Sequence, residues 1–113
     1  MLINGVEMKD LDIYDVEVAE RYEKALGILE GIEGKIKGLK MSESIRTQCT
    51  LIFEFFNTLY GEGADRKIFG ESVNLVTCVK ALGEFMEQID SEKQELEKLV
   101  NKYSPNRAKR RGK

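Results

Sequence analysis

The sequence predicts a mainly α-helical protein with a small N-terminal β-hairpin: a three-helix-bundle-like body, a long last helix and a disordered basic tail. Three observations carry that expectation. Apolar residues recur at 4-3 spacing through three long stretches, which is the signature of amphipathic helices. An Asn-Gly pair sits between apolar residues near the start. The charge also breaks sharply near residue 102. Residues 1–101 hold all 20 acidic residues against 12 basic ones, a net of −8, whereas residues 102–113 hold six basic residues and no acidic one. The expected organisation is one helical domain over residues 1–103, with its hairpin at about 2–13, followed by a solvated basic arm over 104–113.

Each element has a local reason. Leu2-Ile3-Asn4-Gly5-Val6-Glu7-Met8 is a tight-turn signal flanked by apolar residues, predicting strands at about 2–4 and 6–13. A lone hairpin is marginal in water, so it must lie on helices or pair with another chain. Asp15 is a good N-cap for a first helix whose stripe runs Val18, Tyr22, Ala25, Leu29, Ile32, Ile36 and Leu39. Gly27, Gly31, Gly34 and Gly38 recur on roughly the opposite face. At about 0.8–1.0 kcal/mol each against alanine, they weaken this helix by about 3–4 kcal/mol. They mark either a frayed, movable segment or a face that another backbone approaches closely.

Ser42 is the N-cap candidate of a second long helix with Ile45, Cys49, Ile52, Phe56 and Leu59 on one face. Leu51, Phe53, Phe55 and Tyr60 widen that face, so this helix is the expected centre of the core, and Gly61 is its natural C-cap. One short helical turn is expected at Ala64 to Phe69, stopped by Gly70, with Ser72 capping the last helix. There Leu75, Val79, Leu82, Met86, Ile89, Lys93, Leu96, Val100 and Tyr103 keep the 4-3 spacing. That is about 43 Å of helix, longer than the partner helices can cover. Its end is therefore the candidate contact surface, with Leu96, Val100 and Tyr103 expected to be exposed in an isolated monomer.

Composition narrows the chemistry. Histidine and tryptophan are absent, which removes the usual zinc ligand sets and the Ser/His and Cys/His nucleophile pairs. Cys49 and Cys78 lie inside apolar helical patterns and read as buried free thiols. Asp10, Asp12 and Asp15 resemble the start of a calcium loop but lack its glycine and its bidentate glutamate. Gly61-Glu62-Gly63 is not followed by Gly-Lys-Ser/Thr, so it is no phosphate cradle. The carboxylates of the last helix read as a solvated face. A non-enzymatic protein is expected, without catalytic residues, metal or cofactor. No apolar run approaches the length of a membrane span, and the early charges Glu7, Lys9, Asp10 and Asp12 do not suit a signal peptide. The expected location is the cytoplasm.

The basic arm offers Arg107, Lys109, Arg110 and Arg111 for electrostatic attachment. Nucleic acid is a weaker fit than protein. The arm has no aromatic residue beyond Tyr103, and the acidic body would repel phosphates.

Four stretches carry a resemblance: Ile3-Asn4-Gly5-Val6, Asp15 to Ala25 (DVEVAERYEKA), Gly61 to Gly70 (GEGADRKIFG), and the ending Tyr103 to Arg111 (YSPNRAKRR). Together they resemble small proteins of the tail-gene modules of temperate phages and prophages of Gram-positive bacteria, in particular tail assembly chaperones. The resemblance implies a helical protein of the bacterial host cytoplasm that binds the tape-measure protein before the tail tube polymerises. It also implies that an ending in Gly112-Lys113 is the short form of a product that frameshifting can lengthen. It carries no catalytic residues. The expected function is thus a tail-assembly-chaperone-like protein with a protein partner and a capacity to form homo-oligomers. The alternatives are a small nucleic-acid-binding regulator using the arm, or a structural tail or connector subunit.

Overall fold

The computed structural model describes residues 1–103. The expected basic arm, with Arg107, Lys109, Arg110 and Arg111, lies outside the described residues. The order is β1 (Leu2–Ile3), β2 (Val6–Glu7), α1 (Val16–Leu29), α2 (Ile32–Ile36), α3 (Met41–Tyr60), α4 (Ala64–Phe69) and α5 (Leu75–Tyr103). The expected class is therefore what is found: mainly α, three long helices, and one small antiparallel hairpin. α3 is the hub, and α1, α2, α4 and α5 all pack on it.

The burial pattern of α3 explains that position. Cys49, Leu51, Ile52, Phe55, Phe56 and Leu59 are all buried, so the helix is apolar over much of its circumference and needs neighbours on more than one side. Phe55 meets Phe56 edge-on at 5.3 Å and Phe85 of α5 at 5.6 Å, while Phe56 meets Phe85 at 6.0 Å. These spacings fall in the favourable range for tilted aromatic pairs. Leu59, Cys49 and Cys78 fill the same core, and none of the three is accessible to solvent.

The helix ends follow local chemistry, with two corrections. Asp15 caps α1 as expected, its carboxylate accepting from the Val18 N–H at 3.4 Å. Gly61, at φ 103°, ends α3 and donates to the Asn57 carbonyl at 2.8 Å. α3 starts at Met41, with Lys40 and not Ser42 at the N-cap, and Glu43 accepts from the Lys40 N–H. α5 starts at Leu75. Its cap is Asn74 and not Ser72, because the Asn74 side-chain oxygen accepts from the Thr77 N–H at 3.1 Å.

The expected single first helix is broken. It stops at Leu29, and Gly31, at φ 73°, turns the chain into the five-residue α2. A second left-handed glycine, Gly38 at φ 79°, precedes α3. Two of the four glycines thus provide backbone geometry that other residues adopt at a cost. Close approach is not their role within the described residues: a β-carbon added at Gly27, Gly31, Gly34 or Gly38 would meet no atom within 4 Å.

The face of α5 is also corrected. Cys78, Ala81, Phe85 and Ile89 are its buried residues. Leu75, Leu82 and Met86 flank them, and Val79 is 51% exposed. The aromatic contacts of Phe85 with α3 select this stripe over the aliphatic one.

The hairpin is shorter than expected. Asn4 (φ 53°) and Gly5 (φ 73°) make its left-handed turn, but pairing stops at Leu2 opposite Glu7. Met8, Leu11 and Ile13 all bury, which a strand with period two cannot do. An Asp12 turn follows, its side chain accepting from the Tyr14 N–H at 3.0 Å. The hairpin lies on helices, as its marginal size requires. Asn4 donates from its side chain to the Ile68 carbonyl (2.7 Å) and from its backbone to Glu84 (2.8 Å), and Gln88 donates to the Leu2 carbonyl (3.1 Å).

Phe56→Ala removes a fully buried ring from this centre and should cost about 3–5 kcal/mol in chemical denaturation. A loss below about 1 kcal/mol would mean that α3 does not form the core. The glycines give a second, signed test. Gly27 lies in the interior of α1 with open space around it, so Gly27→Ala should stabilise by about 0.5–1 kcal/mol. Gly31→Ala should destabilise, since its φ is positive.

A candidate partner-binding face on the last helix

Beyond Ile89, α5 is no longer enclosed by the body. Ile89 is fully buried, and it is the last fully buried residue of the helix. The described residues extend 55 × 32 × 23 Å, and the final 14 residues of α5 contribute about 21 Å of helix. The stripe does not end there. Glu92, Leu96, Leu99, Val100 and Tyr103 continue the Ile89 face at helical spacing.

The expected exposure of that stripe is corrected in part. Leu96 and Val100 are half-buried, whereas Tyr103 is 71% exposed. Leu96 is partly covered because the segment after the hairpin runs beside it. Asp12, Tyr14, Glu92, Glu95, Leu96 and Leu99 line a groove of about 260 Å³. Leu99 (50% exposed) and Tyr14 (49% exposed) belong to this face and are not among the expected contact residues. Leu99 has a signal in the sequence, since it stands three residues from Leu96 and four from Tyr103. Tyr14 reaches the groove only through the fold, and nothing local announces it. Lys93, expected to interrupt the seam, is exposed, and the position on the face is taken by Glu92.

The electrostatics of the groove's inner end are one-sided. Desolvation, with the negative charges of Asp12 and Asp10, raises the Glu92 carboxyl above the usual range. Asp10 is held by the Met1 ammonium at 2.9 Å, and Glu95 has Lys98 at 3.8 Å. No salt bridge to Asp12 or Glu92 forms among the described residues. Tyr60 lies under the same charges. Burial first, then Asp10 and Glu92, pushes its phenol up to about 12.

The other features weighed in the sequence fall elsewhere. Cys49 and Cys78 are free and buried. Burial and a contact with Cys49 push the Cys78 thiol up to about 12, so it is far from the thiolate form that reacts. Among the described residues, no group of three or more Asp, Glu, Cys or His is placed to hold a metal ion. No helix among them is long and apolar enough to cross a membrane.

Tyr60 gives a pH test with a definite sign. Its folded pKa lies above the ordinary tyrosine value of about 10. Its stabilising contribution is therefore complete below pH 10 and is lost as pH rises toward 12. Tyr60→Phe should reduce the loss of stability between pH 9 and pH 11.5 in urea titrations. Identical pH dependence in the two proteins would show that Tyr60 is open to solvent.

No curated protein and no solved structure matches the chain. The model of one family, described as "Family of unknown function (DUF6673)", matches residues 4–113, a span that takes in the hairpin turn and β2, the helical body and the basic C-terminal residues. The chain belongs to this family.

Proposed function

We propose that this protein is a non-enzymatic assembly protein of the tail-chaperone kind, acting in the bacterial cytoplasm by holding the tape-measure protein until the tail tube forms around it. The observation that carries the reading is the apolar seam Leu96, Leu99, Val100 and Tyr103 on a helix that has outrun its own body. A long helical partner presents the complementary surface, apolar residues at the same spacing, and docks by side-chain interdigitation along the seam. The basic residues Arg107, Lys109, Arg110 and Arg111 adjoin the seam in sequence and add charge attraction to an acidic partner, which speeds encounter more than it deepens affinity. The sequence resemblance to phage tail-module proteins supports the tape-measure protein as that partner.

Co-expression with the tape-measure protein of the same gene cluster tests this reading. The two proteins should co-purify, and the tape-measure protein should stay soluble only in the presence of the chaperone. Leu96→Glu with Val100→Glu should abolish the complex, because a charge buried at a seam is costly. Helical content should remain nearly unchanged, since both positions are only half-buried and glutamate is a good helix former. A complex that survives the double substitution would remove α5 from the binding site.

A further inference from the structure

We infer that, without a foreign partner, the protein pairs with a second copy of itself through the distal half of α5, antiparallel, with the basic residues after Tyr103 of each copy on the acidic groove end of the other. This goes beyond the chaperone reading and is tested on the protein alone.

Three observations lead to it. The seam is self-complementary: Leu96, Leu99, Val100 and Tyr103 share one face, with Leu99 half-exposed and Tyr103 mostly exposed. An antiparallel pairing centred between Leu96 and Leu99 sets Tyr103 of one copy opposite Glu92 of the other, as a two-fold axis requires. The charges then match. Asp12 and Glu92 form no salt bridge among the described residues, and Asp10 and Asp12 repel the Glu92 carboxylate. Residues 104–113 hold five basic residues and no acidic one. The antiparallel arrangement brings those cations to that end of the groove.

The chain's own basic segment is a poorer occupant than a second copy. Ser104 to Lys113 contains no large apolar residue, so it cannot cover Leu96, Leu99 and Tyr103. A second α5 covers them with the same residues.

Sedimentation velocity over a concentration series should show a monomer–dimer equilibrium that weakens as NaCl is raised, because the charge contacts are screened. Leu99→Glu with Tyr103→Glu changes only exposed positions. It should leave the circular dichroism spectrum intact and the protein monomeric. A charge exchange separates pairing between copies from folding back within one. Arg107→Glu/Lys109→Glu/Arg110→Glu/Arg111→Glu in one preparation, which takes residues 104–113 from +5 to −3, and Glu92→Lys/Glu95→Lys in another should each weaken the dimer by about tenfold. Mixing the two should restore it, since each tail then meets a groove of opposite charge. A wild-type monomer at all concentrations would overturn the inference. So would a dimer that survives Leu99→Glu/Tyr103→Glu, or two charge variants that stay monomeric when mixed.

Discussion

The contact of Phe85 with Phe55 and Phe56 is the interaction on which the rest of this structure depends. It decides which stripe of α5 faces α3 and so fixes the rotation of a 29-residue helix about its axis. That rotation is transmitted along a rigid element. With Phe85 and Ile89 inward, Glu92, Leu96 and Leu99 come next to Asp12 and Tyr14, and Tyr103 projects beyond them on the same side. Had Val79 and Lys93 faced inward, Lys93 and not Glu92 would occupy the head of the groove. The one-sided charge there follows from ring packing two turns away.

The hairpin is the second constraint. Its four paired residues bury little by themselves, and Ile3 is the one that is fully buried. Ile3 anchors it in the core, and Asn4 ties it to two helices by joining the Ile68 carbonyl and Glu84 at once. Its position carries Asp12 and Tyr14 to the side of α5. The groove is thus assembled from the two ends of the described chain, with a helix as one wall and an irregular segment as the other.

Much of this architecture is legible in the residues. Asn4-Gly5 announces the turn, Gly61 and Gly70 bracket α4, and the face of α3 reads directly, because a single wide apolar stripe leaves one solution. Two of the expectations that fail do so because periodicity is ambiguous. The stripe from Val18 to Ile36 keeps its spacing across the break at Gly31, since α2 also packs on α3, so periodicity alone conceals the turn. On α5 two stripes compete, one aliphatic through Val79 and Leu82 and one through Cys78, Ala81 and Phe85. Only the ring contacts with α3 choose between them. Leu96, Val100 and Tyr103 are identifiable as an overhanging seam. Tyr14 is not, since its neighbours on α5 lie about 80 residues away in sequence.

The bonds from Asn4 to Ile68 and Glu84, and from Gln88 to Leu2, have a consequence for the order of events during synthesis. A nascent chain makes α3 and exposes Phe55 and Phe56 well before Phe85 has left the ribosome. Asn4 and Leu2 must then wait for Glu84 and Gln88, which lie 80 and 86 residues further along the chain. Closing so long a loop is slow relative to forming the helices themselves. The interval is one in which this protein carries the same liability, bare apolar helix in a crowded cell, that the proposed partner presents. The chain must complete its own fold before Leu96 and Leu99 take their places beside Asp12 and Tyr14.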